Sequence, residues 1–220
     1  MRTRHLLALA GAVALSALVP SSASAATTTF NTEAAFVAAA GPLTTESFEA
    51  AFVPSASVPF TGFTAARSGG PLSHDNFAAS DGTFALGALS LTSGESFTFT
   101  FGAAINSFGI NTIDFATIAA GTLQLTTNAG DNLVMATGTG FDPINNVREF
   151  GLINDSALFT TVTITFTGGS GEYIAFDELR FGTTAFAPPT GPNGVPLPPA
   201  VLMGGIALLA VPLRKRFGKR

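Results

Sequence analysis

The 220-residue chain predicts an all-β fold, an antiparallel β-sandwich of jelly-roll type with one short N-terminal helix. Three observations lead there. Residues 95–101, Glu-Ser-Phe-Thr-Phe-Thr-Phe, and 161–167, Thr-Val-Thr-Ile-Thr-Phe-Thr, alternate apolar and polar side chains with the period of two that belongs to a half-buried strand. Further short runs rich in Phe, Thr, Ile and Val recur along the chain with Gly, Asn, Asp or Pro between them. One segment alone carries a convincing set of helix signals, so two sheets packed face to face are the simplest way to bury the apolar faces. The same periodicity suits a closed barrel, and no repeat of fixed period points to a solenoid or propeller.

The helix is predicted over 33–40, with Asn31 or Thr32 as N-cap and Gly41-Pro42 as its stop. Two turns rich in alanine do not hold themselves together in water, so Phe36, with Val37, has to pack the helix on something larger. Strands are predicted at 45–48, 82–86, 88–91, 95–101, 105–110, 123–126, 133–137, 149–153, 161–167 and 174–181. Turns are predicted at Gly87, at 128–131 and at 168–171, where residues accept a positive φ or hydrogen-bond their own backbone. Spacing makes Phe97, Phe99, Phe101, Val162, Ile164 and Phe166 core residues.

Charge divides the chain into three parts. Seven of the ten basic residues lie near the two ends, whereas the stretch between them holds three arginines against fourteen carboxylates, a formal charge of −11 with no lysine. Such a surface repels phosphate backbones and excludes nucleic acid as a partner. Cysteine is absent, which excludes disulfides, thiolate chemistry and cysteine metal sites. Stability then rests on the core of one domain of ordinary size, predicted over 26–186.

Both ends read as addresses rather than as fold. Arg2 and Arg4 precede an apolar run over 6–19 that closes on Ala23-Ser24-Ala25, an A-x-A cleavage pattern. Residues 1–25 are therefore predicted to be a signal peptide, with Ala23 and Ala25 fixing the cut and signal peptidase making it. At the other end a Pro/Gly linker over 187–194 leads to Val195-Pro196-Leu197-Pro198, an uncharged stretch over 201–213 and a basic terminus beginning Arg214-Lys215-Arg216. As a helix, 201–213 covers roughly 20 Å against about 30 Å of bilayer hydrocarbon. It enters a membrane but barely spans one, and its basic end stays on the cytoplasmic side.

That order of motif, apolar helix and basic end resembles the PEP-CTERM sorting signal in its V-P-L-P-A variant, with Pro199 standing before Ala200 and Leu197 in place of the Glu of V-P-E-P. The resemblance covers 195–220, with the membrane helix at 199–213. It implies recognition by an exosortase, a membrane-embedded cysteine protease that cuts near the proline motif. Val195, Pro196, Leu197 and Pro198 would be the recognition element, and Arg214, Lys215 and Arg216 part of the retention signal. It implies further an inner-membrane intermediate, then display on or release from the surface of a Gram-negative cell that makes exopolysaccharide. An ordinary tail anchor on a periplasmic structural protein is the alternative for this end.

Chemistry is sparse in the domain itself. A Ser-His-Asp triad would need His74, which sits in a glycine-rich segment beside Asp75 with no nucleophile-elbow motif, so it reads as an exposed polar loop histidine and the chain as a non-enzyme. One histidine cannot anchor a zinc set. Calcium, which takes oxygen ligands, is the better candidate cofactor. The domain resembles secreted jelly-roll modules of carbohydrate-binding type that hold a structural calcium between an early carboxylate and one in the last strand. That resemblance implies Glu49 and Asp177 as ligands, with Asp81 as a third; solvated carboxylates, or Asp177 or Glu178 pairing with Arg180, account for the same residues. A carbohydrate-binding module is the second functional reading, with extracellular polysaccharide as partner. Its sugar platform would have to use phenylalanine, since tryptophan is absent and the single tyrosine, Tyr173, is placed to pack. Phe60, Phe63 and Phe77 are the phenylalanines that irregular sequence could leave exposed. Asn154-Asp155-Ser156 reads as a turn rather than a glycosylation acceptor.

Overall fold

The structure, a computed structural model, describes residues 27–76 and 78–185. The predicted signal peptide, linker and sorting motif, and Phe77, lie outside the described residues. In chain order the elements are β1 (Thr27–Phe30), α1 (Glu33–Ala40), β2 (Thr44–Glu46), β3 (Ser57–Phe60), β4 (Phe63–Arg67), β5 (Ser73–Asp75) and β6 (Ala85–Leu91), then β7 (Ser96–Ile105), β8 (Ser107–Ile113), β9 (Ala120–Thr127), β10 (Asn132–Thr139), β11 (Val147–Asn154), β12 (Phe159–Gly168) and β13 (Glu172–Gly182).

They form two antiparallel sheets. One runs β1-β11-β8-β13-β6-β5, with β2 also pairing β13; the other runs β10-β9-β12-β7-β4-β3. The strand β13 is long enough to serve both β6 and β2, its first half pairing Ala175 with Gly87 and its second Leu179 with Glu46. A bulge between Asp177 and Arg180 absorbs the change, and Glu178 takes a φ of 49° there.

The core is what the alternation dictates. Phe97, Phe99 and Phe101 of β7 and Val162, Ile164 and Phe166 of β12 turn one face inward, all at most 4% exposed, and meet Phe108, Ile110, Ile174 and Phe176 of the facing sheet. The helix forms over the residues predicted. Thr32 caps it by accepting the Ala35 amide, and Gly41, at φ 74°, ends it with its N–H on the Val37 carbonyl. Only Phe36 and Ala40 pack; Val37 faces solvent, because the helix touches β8 and β11 along a single narrow line.

Four strands, β1, β3, β4 and β5, escape the sequence pattern, and two predicted strands at 82–86 and 88–91 are one. Gly87 is not a turn but lies inside β6, opposite Ser73 of β5. A Cβ there would stand 2.8 Å from the Asp75 Cβ, so glycine is needed for the close approach of an edge strand and not for a reversal. The turn at 128–131 forms as the β9–β10 hairpin, with Gly130 at φ 100°, whereas 168–171 carries the chain from β12 in one sheet to β13 in the other, with Gly171 at φ 84°. Asn154 makes its turn too, its side-chain oxygen accepting from the Ser156 and Ala157 amides. Among the described residues no helix is long and apolar enough to cross a membrane.

Candidate functional site

An aromatic strip runs along the β3 edge. The strands β3 and β4 form a hairpin about Thr61-Gly62, with Gly62 at φ 88°, and this stacks Phe60 on Phe63 at 5.0 Å and 12°. Phe63 is buried and anchors the pair to Phe99 and Phe101, so its expected exposure is corrected: β4 is an inner strand paired to β7. Phe60 remains half-buried. Phe52, from the loop before β3, meets Phe60 at 5.6 Å and His74 at 5.3 Å, and His74 stacks on Phe84 at 4.1 Å. Four half-buried rings, Phe60, Phe52, His74 and Phe84, thus form one continuous line.

His74 does not lie in an exposed loop as predicted. It sits in β5, its ring between two phenylalanines and its Nε2 3.0 Å from the Phe48 carbonyl. Its ring thereby joins Phe52 to Phe84 in the strip. Two shallow clefts open beside the rings and share Pro59 and Phe60. One, about 320 Å³, is lined by Glu46, Ala50, Phe52 and Thr61; the other, about 400 Å³, by Thr64, Thr100, Phe101 and Gly102. Pro59 keeps this edge free of a backbone donor, which blunts strand addition and leaves the clefts open to ligands of other kinds.

The three carboxylates singled out for calcium meet at one loop, over 80–84. Asp177, fully buried, accepts from the Ser80 amide at 2.7 Å, the Ser80 hydroxyl at 3.0 Å and the Asp81 amide at 3.1 Å. Glu49 accepts from the Thr83 and Phe84 amides at 2.8 and 2.9 Å, and those bonds, Phe84 first, hold its carboxyl below the usual range. Burial and then the charge of Asp177 push Asp81 up to about 6. The oxygens of Asp177 and Glu49 point at amides, and among the described residues no group of three or more His, Cys, Asp or Glu is placed to hold a metal ion. As arranged, the set staples a loop. The expected pairing of Glu178 with Arg180 is present at 2.5 Å, shared with Glu33 at 2.7 Å. Tyr173 packs on Ala78, Ala85, Ile113 and Ala175, as its position suggested.

Phe52, Pro59 and Phe84 were not legible as site residues. The usable signal was the hairpin Val58-Pro59-Phe60-Thr61-Gly62-Phe63, one phenylalanine pair about a Thr-Gly turn.

No family model and no curated protein matches this sequence. Among solved structures the chain is similar to the CBM22-1 xylan-binding domain from Paenibacillus barcinonensis Xyn10C, at 13% identity and a TM-score of 0.41 over 66% of this chain and 98% of that one. It is similar also to the cleaved adhesin domain of Lys-gingipain, at 16% identity and 0.39 over 64% and 99%, and to a family 29 carbohydrate-binding module, at 12% and 0.35 over 64% and 91%. At these TM-scores no argument passes from those proteins to this one, and a function for this chain has to rest on the geometry of its own aromatic strip.

Proposed function

We propose that this chain is an exported, non-catalytic β-sandwich of jelly-roll connectivity that holds a polysaccharide strand against the aromatic strip. The observation that carries the reading is the line of half-buried rings beside two open clefts that share Phe60. Aromatic faces stack on the C–H faces of sugar rings while hydroxyls find acceptors at the rim. Jelly-roll connectivity is supported by the alternation of successive strands between sheets, from β6 to β9 and again from β10 to β13. A non-catalytic role is supported by His74, whose Nε2 is engaged by a carbonyl.

Export follows from the A-x-A pattern at Ala23 and Ala25 and from the lysine-free, acidic domain between two basic ends. Sorting by an exosortase, and a place on the cell surface or in an exopolysaccharide matrix, follow from Val195-Pro196-Leu197-Pro198 and the basic terminus. A glycan array probed with the full chain tests the binding, and intact-mass analysis of the protein from its host tests the processing. Retention on polysaccharide spots and two trimmed ends are expected; a blank array removes the first half of the reading and untrimmed ends the second.

A further inference from the structure

Resting on that reading, we propose that the strip takes a polysaccharide without acidic substituents and turns polyuronates away. A carboxylated or sulfated sugar is held by a guanidinium or ammonium group placed beside it. Residues 27–185 contain no lysine and only three arginines, and every guanidinium is committed elsewhere. Arg67 donates to Glu95 at 2.7 Å and to the carbonyls of Pro71 and Leu89. Arg148 donates to Asp142 and to the Thr137 carbonyl, and lies over the Phe115 ring at 5.3 Å. Arg180 is shared between Glu33 and Glu178. None of the three lines either cleft.

What does line one cleft is a carboxylate, Glu46, half-buried and fixed by the Phe48 amide on its Oε1 at 2.9 Å. Glu49 follows three residues later. A polyanion therefore meets repulsion from a domain of formal charge −11 on approach, and no cation on contact. A neutral strand meets neither obstacle: its C–H faces reach Phe52 and Phe60, and its hydroxyls donate to Glu46, an acceptor-only group when ionised.

Affinity electrophoresis of the full chain in mild detergent tests this, with gels carrying a neutral β-glucan, a galactomannan or polygalacturonate. The variant Thr61→Arg accompanies the wild type, since Thr61 is exposed on the turn that lines the first cleft. Wild type is expected to be retarded by a neutral polymer equally at low and high salt and not by polygalacturonate. Thr61→Arg is expected to gain about tenfold in affinity for polygalacturonate at low salt. Polygalacturonate retarding wild type as strongly as the neutral polymers overturns the charge rule and leaves the polysaccharide reading standing. Thr61→Arg that still ignores polygalacturonate overturns the placement of the ligand in this cleft. No retardation by any polymer overturns both.

Discussion

Gly109 and Gly151 stand directly opposite each other across β8 and β11, and the ring of Phe36 lies in the notch that their missing side chains leave. The helix is thereby keyed to the outer face of the larger sheet by one ring. A Cβ at Gly151 would approach within 2.6 Å of that ring, so Gly151→Ala is expected to destabilise by about 2 kcal/mol through overpacking. Phe36→Ala removes a side chain that is 2% exposed and is expected to cost about 3 kcal/mol. In urea denaturation the double variant should fall short of the sum, because alanine at 36 removes the ring atoms nearest the new methyl and leaves only its own Cβ, at 2.9 Å. Strict additivity would show that the ring sits elsewhere.

Asp81 makes stability depend on pH in an uncommon direction. Its folded value of about 6 lies above the ordinary 3.8, so the folded state binds the proton more tightly. The contribution is present below pH 4 and is lost as pH rises through 6. Asp81→Asn keeps the amide that donates to Asp177 and removes the charge that Asp177, Glu178 and Glu49 oppose. Screening of so exposed a side chain cuts the nominal gain to about 1 kcal/mol at neutral pH. Urea midpoints at pH 7.5 should favour the variant, and the advantage should vanish at pH 4. An advantage that persists at pH 4 would place its cause outside this carboxyl.

Calcium is tested by the same loop. With Asp177 and Glu49 bonded to amides, the melting temperature in excess EDTA is expected to match that in millimolar calcium. A rise of several degrees on adding calcium would mean that the loop opens its carboxylates to an ion.

Legibility followed sequence locality. The strands β7 and β12 announce themselves because each alternates over many residues, and α1 because Thr32, Phe36 and Gly41 signal its cap, its anchor and its stop within ten positions. Of the shorter strands, β4 owes its form to β7, far along the chain, β5 to β6 across an irregular loop, and β3 only to its hairpin with β4. Arg67 ends β4 inside the protein because Glu95, from the turn before β7, neutralises it, and no local rule marks a buried arginine as a strand residue. Gly87 reads as punctuation until Asp75 is seen lying against it. The strip shares this logic: Phe52, Phe60, His74 and Phe84 span 33 positions and become neighbours only when β3 reverses into β4 and β5 lies along β6. The carboxylates are a middle case. A resemblance implied Glu49, Asp81 and Asp177 as one set, and the structure does bring them to one loop, but it turns the oxygens of Asp177 and Glu49 onto amides.

The most direct measurement is a binding isotherm of the full chain, and of its Phe52→Ala and Phe60→Ala double variant, on extracellular polysaccharide purified from the native host. The two rings are only half-buried, so the variant should stay folded, as a retained cooperative melt would show. Loss of two stacking faces is expected to weaken binding at least about tenfold. Equal affinity in a folded double variant would contradict the claim that this strip is where the sugar lies.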